Sequence, residues 1–186
     1  MQLPEVFREG PVAFAIARDV VTAEGPETEA YLQGQLSQDV EALGDGDAAW
    51  SLLLQPQGKV DAWLRVTRRD AGSYLLDVDA GAGTDMLARL ERFKLRTACE
   101  LTLATWSTVA IRGPGSAEVD TSGCGAVVAV AAEWPGVDGV DLLGPEVAVP
   151  ARLAHGGEDD LDLLRIMCGV PRMGVELDDS IIPAEA

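Results

Sequence analysis

The sequence predicts an α+β protein in which antiparallel sheets carry packed helices. Three observations point there: short apolar runs of strand length are separated by turn residues, one of these runs alternates strictly, and two segments carry apolar residues at helical spacing. At 186 residues the chain suits one large domain or two small ones, and a 47% hydrophobic content is enough to build a core.

The first run, 12–17, is bounded by Pro11 and by Arg18-Asp19 and reads as a strand. Gly25-Pro26-Glu27-Thr28 then opens a helix running to Gln33, with proline and acids at its positive end. A turn over 34–40 and the acidic turn Gly44-Asp45-Gly46-Asp47 lead into strands 48–54 and 59–66. Between these lies Gln55-Pro56-Gln57-Gly58, where proline followed two residues later by glycine supplies tight-turn chemistry. In the second of the two strands Val60, Ala62, Leu64 and Val66 are expected on one face, with Asp61, Trp63 and Arg65 on the other. Residues 73–78 make a third strand. Thr84 is expected to cap a helix whose apolar positions are Met86, Leu87, Leu90 and Phe93, and 99–105 returns as a strand.

A second unit is expected to begin near Trp106, dividing the chain into domains 1–105 and 106–186, the latter cut short at its C-terminal end. Its strands are read at 107–111, 126–131 and 137–143. A helix over 158–168 starts on Glu158-Asp159-Asp160 and places Leu161, Leu164 and Cys168 on one face, followed by a loop-like tail.

Acids outnumber bases 31 to 14, a net charge of −17, which argues against nucleic acid as a partner. No apolar run approaches the roughly 20 residues that a membrane crossing requires, and the opening residues carry no secretion pattern, so a cytoplasmic protein with no membrane partner is expected. Cys99, Cys124 and Cys168 are far apart and form no metal or redox pair. They are read as buried small hydrophobes, with Cys124, between two glycines, the one most open to solvent. The single histidine, His155, is read as a surface residue, and no metal site is expected. Gly113-Pro114-Gly115-Ser116 lacks both phosphate-loop spacings and reads as a plain strand–helix connection. No catalytic set emerges from the residues alone.

Three ordered blocks carry a family resemblance. Tyr31-Leu32-Gln33-Gly34-Gln35-Leu36-Ser37-Gln38-Asp39-Val40 resembles the F-L-Q-G-Q-x-T-x-D-V block of YgfZ-type proteins. Leu53-Leu54-Gln55-Pro56-Gln57-Gly58-Lys59-Val60 resembles their L-x-x-P-Q-G-K/R block. Leu164-Arg165-Ile166-Met167-Cys168-Gly169-Val170-Pro171, with Ile182-Pro183-Ala184-Glu185 beyond it, resembles L-R-I-x-x-G-x-P and I-P-x-E. The resemblance implies the fold of the glycine-cleavage T-protein, here without its C-terminal barrel. It also implies tetrahydrofolate or a derivative as ligand, and a role in assembling or repairing iron–sulfur clusters with iron–sulfur proteins as partners.

The family's K-G-C-Y-x-G-Q motif does not occur, and none of the three cysteines inherits its role. Aligning the G-G-x-x-D-D block of aminomethyltransferases on Gly58 places Ala62 and Trp63 at the two aspartates, with Asp61 one residue early and expected on the opposite face. Met167 stands where those enzymes place a glutamate that contacts the pterin. The resemblance therefore implies binding without aminomethyl transfer, and no catalytic residue is assigned. An aminomethyltransferase of the T-protein class is the enzyme alternative, and an interaction module that has lost folate is the third.

Candidate ligand-binding residues on this resemblance are Gln33, Gln35, Trp50, Gln55, Gln57, Gly58, Lys59, Trp63 and Arg165. Gly58 would allow close backbone approach, Lys59 would meet a folate carboxylate, and Trp50 or Trp63 would offer a flat wall to a pterin. The same residues also admit plainer roles: Gln33 and Gln35 tying down backbone, 55–59 as a simple hairpin, and Arg165 complementing a helix dipole.

Overall fold

A computed structural model describes residues 4–7 and 9–185, without the side chain of Glu185. Ala186, and part of the opening segment read above for secretion signals, lie outside these residues. In chain order the elements are β1 (Val12–Ile16), β2 (Arg18–Glu24), α1 (Thr28–Gln33), β3 (Ala48–Leu54), β4 (Val60–Asp70) and β5 (Ser73–Asp79). There follow α2 (Gly83–Phe93), β6 (Glu100–Ala104), β7 (Ser107–Arg112), β8 (Val128–Ala131), β9 (Gly139–Gly144), β10 (Ala154–His155) and α3 (Glu158–Met167). Two five-stranded, mainly antiparallel sheets with few helices bear out the α+β expectation.

The chain divides into two compact units, each built from two separated stretches: Met1–Ala17 with Trp106–Pro171, and Arg18–Thr105 with Arg172–Ala186. Two consecutive domains would not give this division, because β1 pairs with β7 along its whole length, from Val12↔Arg112 to Ile16↔Thr108.

In the unit formed by 18–105 and 172–186 the sheet order is β3-β4-β5-β2-β6. β2 is a central strand missing from the sequence reading, in which Arg18-Asp19 ended the first run. Both charges are used. Arg18 pairs with Asp77 and Asp79, while Asp19 accepts hydrogen bonds from the backbone N–H groups of Gly81 and Gly83 at 2.8 and 2.9 Å. That carboxylate does the capping work at the start of α2 expected of Thr84, which makes no capping bond there. One face of the sheet is apolar, with Val21, Ala23, Ala62, Leu64, Val66, Tyr74, Leu76 and Val78 packed against Tyr31 and Leu32 of α1 and Met86 and Leu90 of α2. Burial of this face is the main stabilising term of the unit.

In the other unit the order is β10-β1-β7-β9-β8, with Ala13, Val109, Ile111 and Leu142 in its core. Cys124 is packed into that core and buried, correcting the expectation of an open position. The two flanking glycines serve the turn, where Gly123 and Gly125 both take positive φ. His155 is exposed on β10, and all three cysteines are buried and unpaired. Arg112 and Asp141, both nearly inaccessible, form an ion pair at 2.7 Å. Among the described residues no helix is long and apolar enough to cross a membrane, and no group of three or more His, Cys, Asp or Glu is arranged to hold a metal ion.

Candidate functional site

The hairpin joining β3 and β4 closes as the sequence predicts. Gln55 N–H donates to the Lys59 carbonyl at 2.8 Å and Gly58 N–H to the Gln55 carbonyl at 2.9 Å, a three-residue loop ending on a left-handed residue. Gly58 holds φ +84, and a Cβ placed on it would meet nothing within 4 Å, so the glycine is there for its backbone and leaves open space at the tip. Gln57 and Lys59 are exposed and Gln55 is half-buried. The tail from Arg172 onward buttresses this hairpin, since Val60 N–H donates to the Ile181 carbonyl at 2.9 Å. Hydrogen bonds from the Ser180 hydroxyl and N–H, with a smaller contribution from the Lys59 charge, hold the Asp178 carboxyl below its usual range.

The register of β3 on β4 slips between Leu53 and Leu54: Leu53 faces Ala62, Leu54 faces Val60, and Asp61 is the extra residue of a β-bulge. Asp61 does not follow the alternation expected for it. Its carboxylate accepts Arg89 Nε of α2 at 3.0 Å, on the helix-covered side, while Arg89 Nη2 donates to the Leu54 carbonyl at 3.0 Å. A bulge resets the face of every residue behind it, so counting by twos fails at this position. From Ala62 onward the alternation holds. Ala62, Leu64 and Val66 lie in the core, while Trp63 and Arg65 project from the opposite face.

That opposite face carries a polar and aromatic lattice. Trp50 and Trp63 are diagonal cross-strand neighbours whose rings stack at 4.2 Å with an interplanar angle of 16°. The guanidinium groups of Arg18 and Arg65 lie 5.6 and 5.5 Å from the Trp50 ring centre. Asp77, fully buried, accepts Arg65 Nε at 3.0 Å and Arg18 Nε at 2.5 Å, and Arg18 Nη1 reaches Asp79 at 2.9 Å. Asp79 in turn accepts Met173 N–H at 2.9 Å, and the Met173 sulfur accepts Trp63 N–H at 3.3 Å. Ion pairs, ring contacts and two bonds from main-chain N–H groups run on without a break, which fixes the tryptophan pair in one position. Sequence reasoning singled out the two tryptophans but missed Arg18, Asp77, Asp79 and Met173. For the three charged residues the only signal is unlike charge on strands whose pairing the sequence does not give, and Met173, in the tail, carries none.

Eight of the nine candidate residues belong to this unit. Gln55, Gln57, Gly58 and Lys59 share the hairpin tip, and Trp50 and Trp63 share the stack. Gln33 caps backbone: its Oε1 accepts Val40 N–H at 2.6 Å and Glu41 N–H at 3.2 Å. Gln35 makes a local bond to the Gly34 carbonyl at 3.3 Å. Arg165 lies in the other unit, buried, with Asp162 at 2.6 Å and the Val170 carbonyl at 3.1 Å.

Residues 19–159 match the GCVT N-terminal domain family. A solved structure of the glycine cleavage system aminomethyltransferase T from Bartonella henselae superposes with a TM-score of 0.77 over 93% of this chain and 55% of that one, at 20% identity, a likeness of fold. The aminomethyltransferase of Prosthecochloris aestuarii is 29% identical over 88% of this chain and 54% of its own length. The tRNA-modifying protein YgfZ of Klebsiella pneumoniae is 42% identical over 28% of this chain and 16% of its own. The iron–sulfur cluster assembly factor IBA57 homolog of Mycosarcoma maydis is 31% identical over 46% of this chain and 24% of its own. The chain spans about half the length of the curated aminomethyltransferases it matches. Together the match over 19–159 and the shared two-sheet fold establish that this chain belongs to the GCVT N-terminal domain family, as the resemblance of its three sequence blocks implies.

Proposed function

We propose that this chain binds tetrahydrofolate or a derivative and acts as an accessory in the assembly or repair of iron–sulfur clusters, with iron–sulfur proteins as partners and no aminomethyl transfer of its own. The observation that carries the reading is the Trp50–Trp63 stack, anchored by the Arg18–Asp77–Arg65 network on the sheet face opposite the helices. A rigid aromatic plane suits a pterin ring, and the open hairpin tip at Gly58 with an exposed Lys59 suits the carboxylates of a folate. Bound there, a folate would supply a one-carbon carrier; the residues named would hold and orient it. The iron–sulfur part of the reading is supported by the relative named as a cluster assembly factor.

Calorimetric titration of the purified chain with a reduced folate tests the binding. Saturable binding is expected, weakened about tenfold or more in Trp63→Ala and Lys59→Ala, the equivalent of at least about 1.4 kcal/mol. Binding untouched by both substitutions would exclude this face and hairpin as the folate site.

The enzyme reading draws support from the aminomethyltransferases aligned over most of the chain. Against it stand Ala62 and Met167 at the acid positions, and Asp61, whose carboxylate is engaged by Arg89. Transfer of a one-carbon unit from a lipoyl-bound aminomethyl group to tetrahydrofolate by the purified chain would establish it in place of the accessory role.

A further inference from the structure

The end of α2 departs from the charge of the rest of the molecule. Arg89-Leu90-Glu91-Arg92-Phe93-Lys94-Leu95-Arg96 holds four of the chain's 14 bases and one acid, within a protein of net charge −17. Three nearby acids are already engaged: Asp61 with Arg89, Glu91 with Lys94 at 2.7 Å, and Glu27 with the Ala98 N–H at 2.5 Å. Arg92 and Arg96 are exposed, and among the described residues neither forms an ion pair with a carboxylate. Between them Phe93 is 41% and Leu95 82% exposed, the latter the highest value among the exposed large hydrophobic residues described.

This turn is built rather than loose. Lys94 N–H donates to the Glu91 carbonyl and Leu95 N–H to the Phe93 carbonyl, both at 3.2 Å, and the Thr97 hydroxyl reaches the Leu95 carbonyl at 3.5 Å. Arg96 is held at φ +58, in the left-handed region that residues with a Cβ avoid. The fold thus maintains a strained backbone position and an aliphatic side chain in water, between two arginines not paired with a carboxylate, of which Arg92 also lies 5.7 Å from the Phe93 ring centre. An exposed apolar group flanked by charge of one sign, on an ordered turn, has the anatomy of a small recognition surface.

We infer that the 92–96 turn is a docking surface for an acidic segment of another protein, one in which carboxylates flank an aliphatic side chain that covers Leu95. Screening limits effective charges to those within about 8 Å at physiological salt, so the local excess of bases governs a short contact despite the negative charge of the whole chain. A long polyanion is disfavoured, because it would run beyond the turn into the acidic remainder. Phe93 is also poorly placed to stack a base, because the Arg89 guanidinium lies 3.8 Å from its ring centre. The inference stands apart from the folate reading.

The probe is a short fluorescent peptide in which glutamates alternate with leucines, titrated against the full chain by fluorescence anisotropy. Three controls accompany it: a glutamate–serine peptide, a lysine–leucine peptide and a single-stranded oligouridine. The glutamate–leucine peptide is expected to bind best, to weaken with added salt, and to lose about tenfold in affinity with Leu95→Ser and with Arg92→Ser. Arg96→Gly separates binding from folding, since it relieves the left-handed strain and should raise the melting temperature while weakening the peptide. No binding of the glutamate–leucine peptide, equal binding of the lysine–leucine peptide or the oligouridine, or variants that bind like the parent, would each overturn the inference.

Discussion

Replacing Asp77 tests whether the lattice behind the tryptophan pair is held together by charge. Asp77 is fully buried, and it faces Arg65, 1% exposed, and Arg18, 10% exposed. Arg18 retains Asp79 when Asp77 is lost, whereas Arg65 loses the contacts that its Nε and Nη2 make to Asp77 at 3.0 and 3.3 Å. Removing one partner of a buried pair costs about 3–5 kcal/mol, because the remaining charge stays desolvated. For a chain of this size each kcal/mol lowers the melting temperature by about 2–4 °C, so Asp77→Ala should fall by on the order of 10 °C. The double variant Asp77→Leu/Arg65→Met removes both charges and should recover most of that loss, since apolar groups of similar volume replace a buried pair at little cost. The assay is urea unfolding followed by circular dichroism and by tryptophan emission, with Trp50 reporting on the guanidinium groups against its ring. A loss below about 1 kcal/mol in Asp77→Ala, the range of a solvent-screened surface pair, would mean that charge does not hold the lattice together. So would a double variant no better than the single.

Three further outcomes are expected. Burial raises the Tyr31 hydroxyl to about 12 from an ordinary 10.0, and burial with the Glu29 hydrogen bond does the same for Tyr74. Unfolded tyrosines release protons first, so stability should hold below about pH 10 and fall towards pH 12, as denaturant midpoints and tyrosinate absorbance would record; a flat profile across that window would contradict the burial. The thiols of Cys99, Cys124 and Cys168 are all buried, with that of Cys168 raised by burial, so a thiol reagent should label the native chain only as fast as it opens. Rapid labelling of any of the three in native buffer would count against this packing. Gly58→Ala should cost about 1 kcal/mol through its left-handed backbone alone. Gly25→Ala, whose Cβ would lie 2.2 Å from the Ala98 carbonyl oxygen at φ +141, should cost considerably more by thermal melting, and equal losses would undo the comparison.

The sequence exposed what local chemistry decides. Pro56 and Gly58 announce the hairpin by themselves, and the apolar spacing of Met86, Leu90 and their neighbours announces α2. What escaped depends on partners far along the chain. β2 was hidden because its first two residues are charged, and their charges are neutralised or hydrogen-bonded only when β5 and the start of α2 arrive some 60 residues later. Local sequence points to Thr84 as the α2 cap, whereas the capping carboxylate comes from Asp19, 64 residues before Gly83. The bulge at Asp61 has no composition signal, since it is a property of the pairing of two strands. At the candidate site the two tryptophans could be named but not paired, because a diagonal stack exists only in one register.

The interleaved construction of the two units bears on how the chain is made. At about 5–20 residues per second a ribosome needs roughly 5–20 s after Ile16 to deliver all of β7, the antiparallel partner of β1. During that interval Val12-Ala13-Phe14-Ala15-Ile16 waits as an unpaired apolar segment while 18–105 can already begin to collapse around Leu64, Tyr74 and Leu76. Assembly would then run from the inside of the sequence outward, with the waiting strand a natural point of capture for a chaperone and the first place where slow synthesis would lead to aggregation.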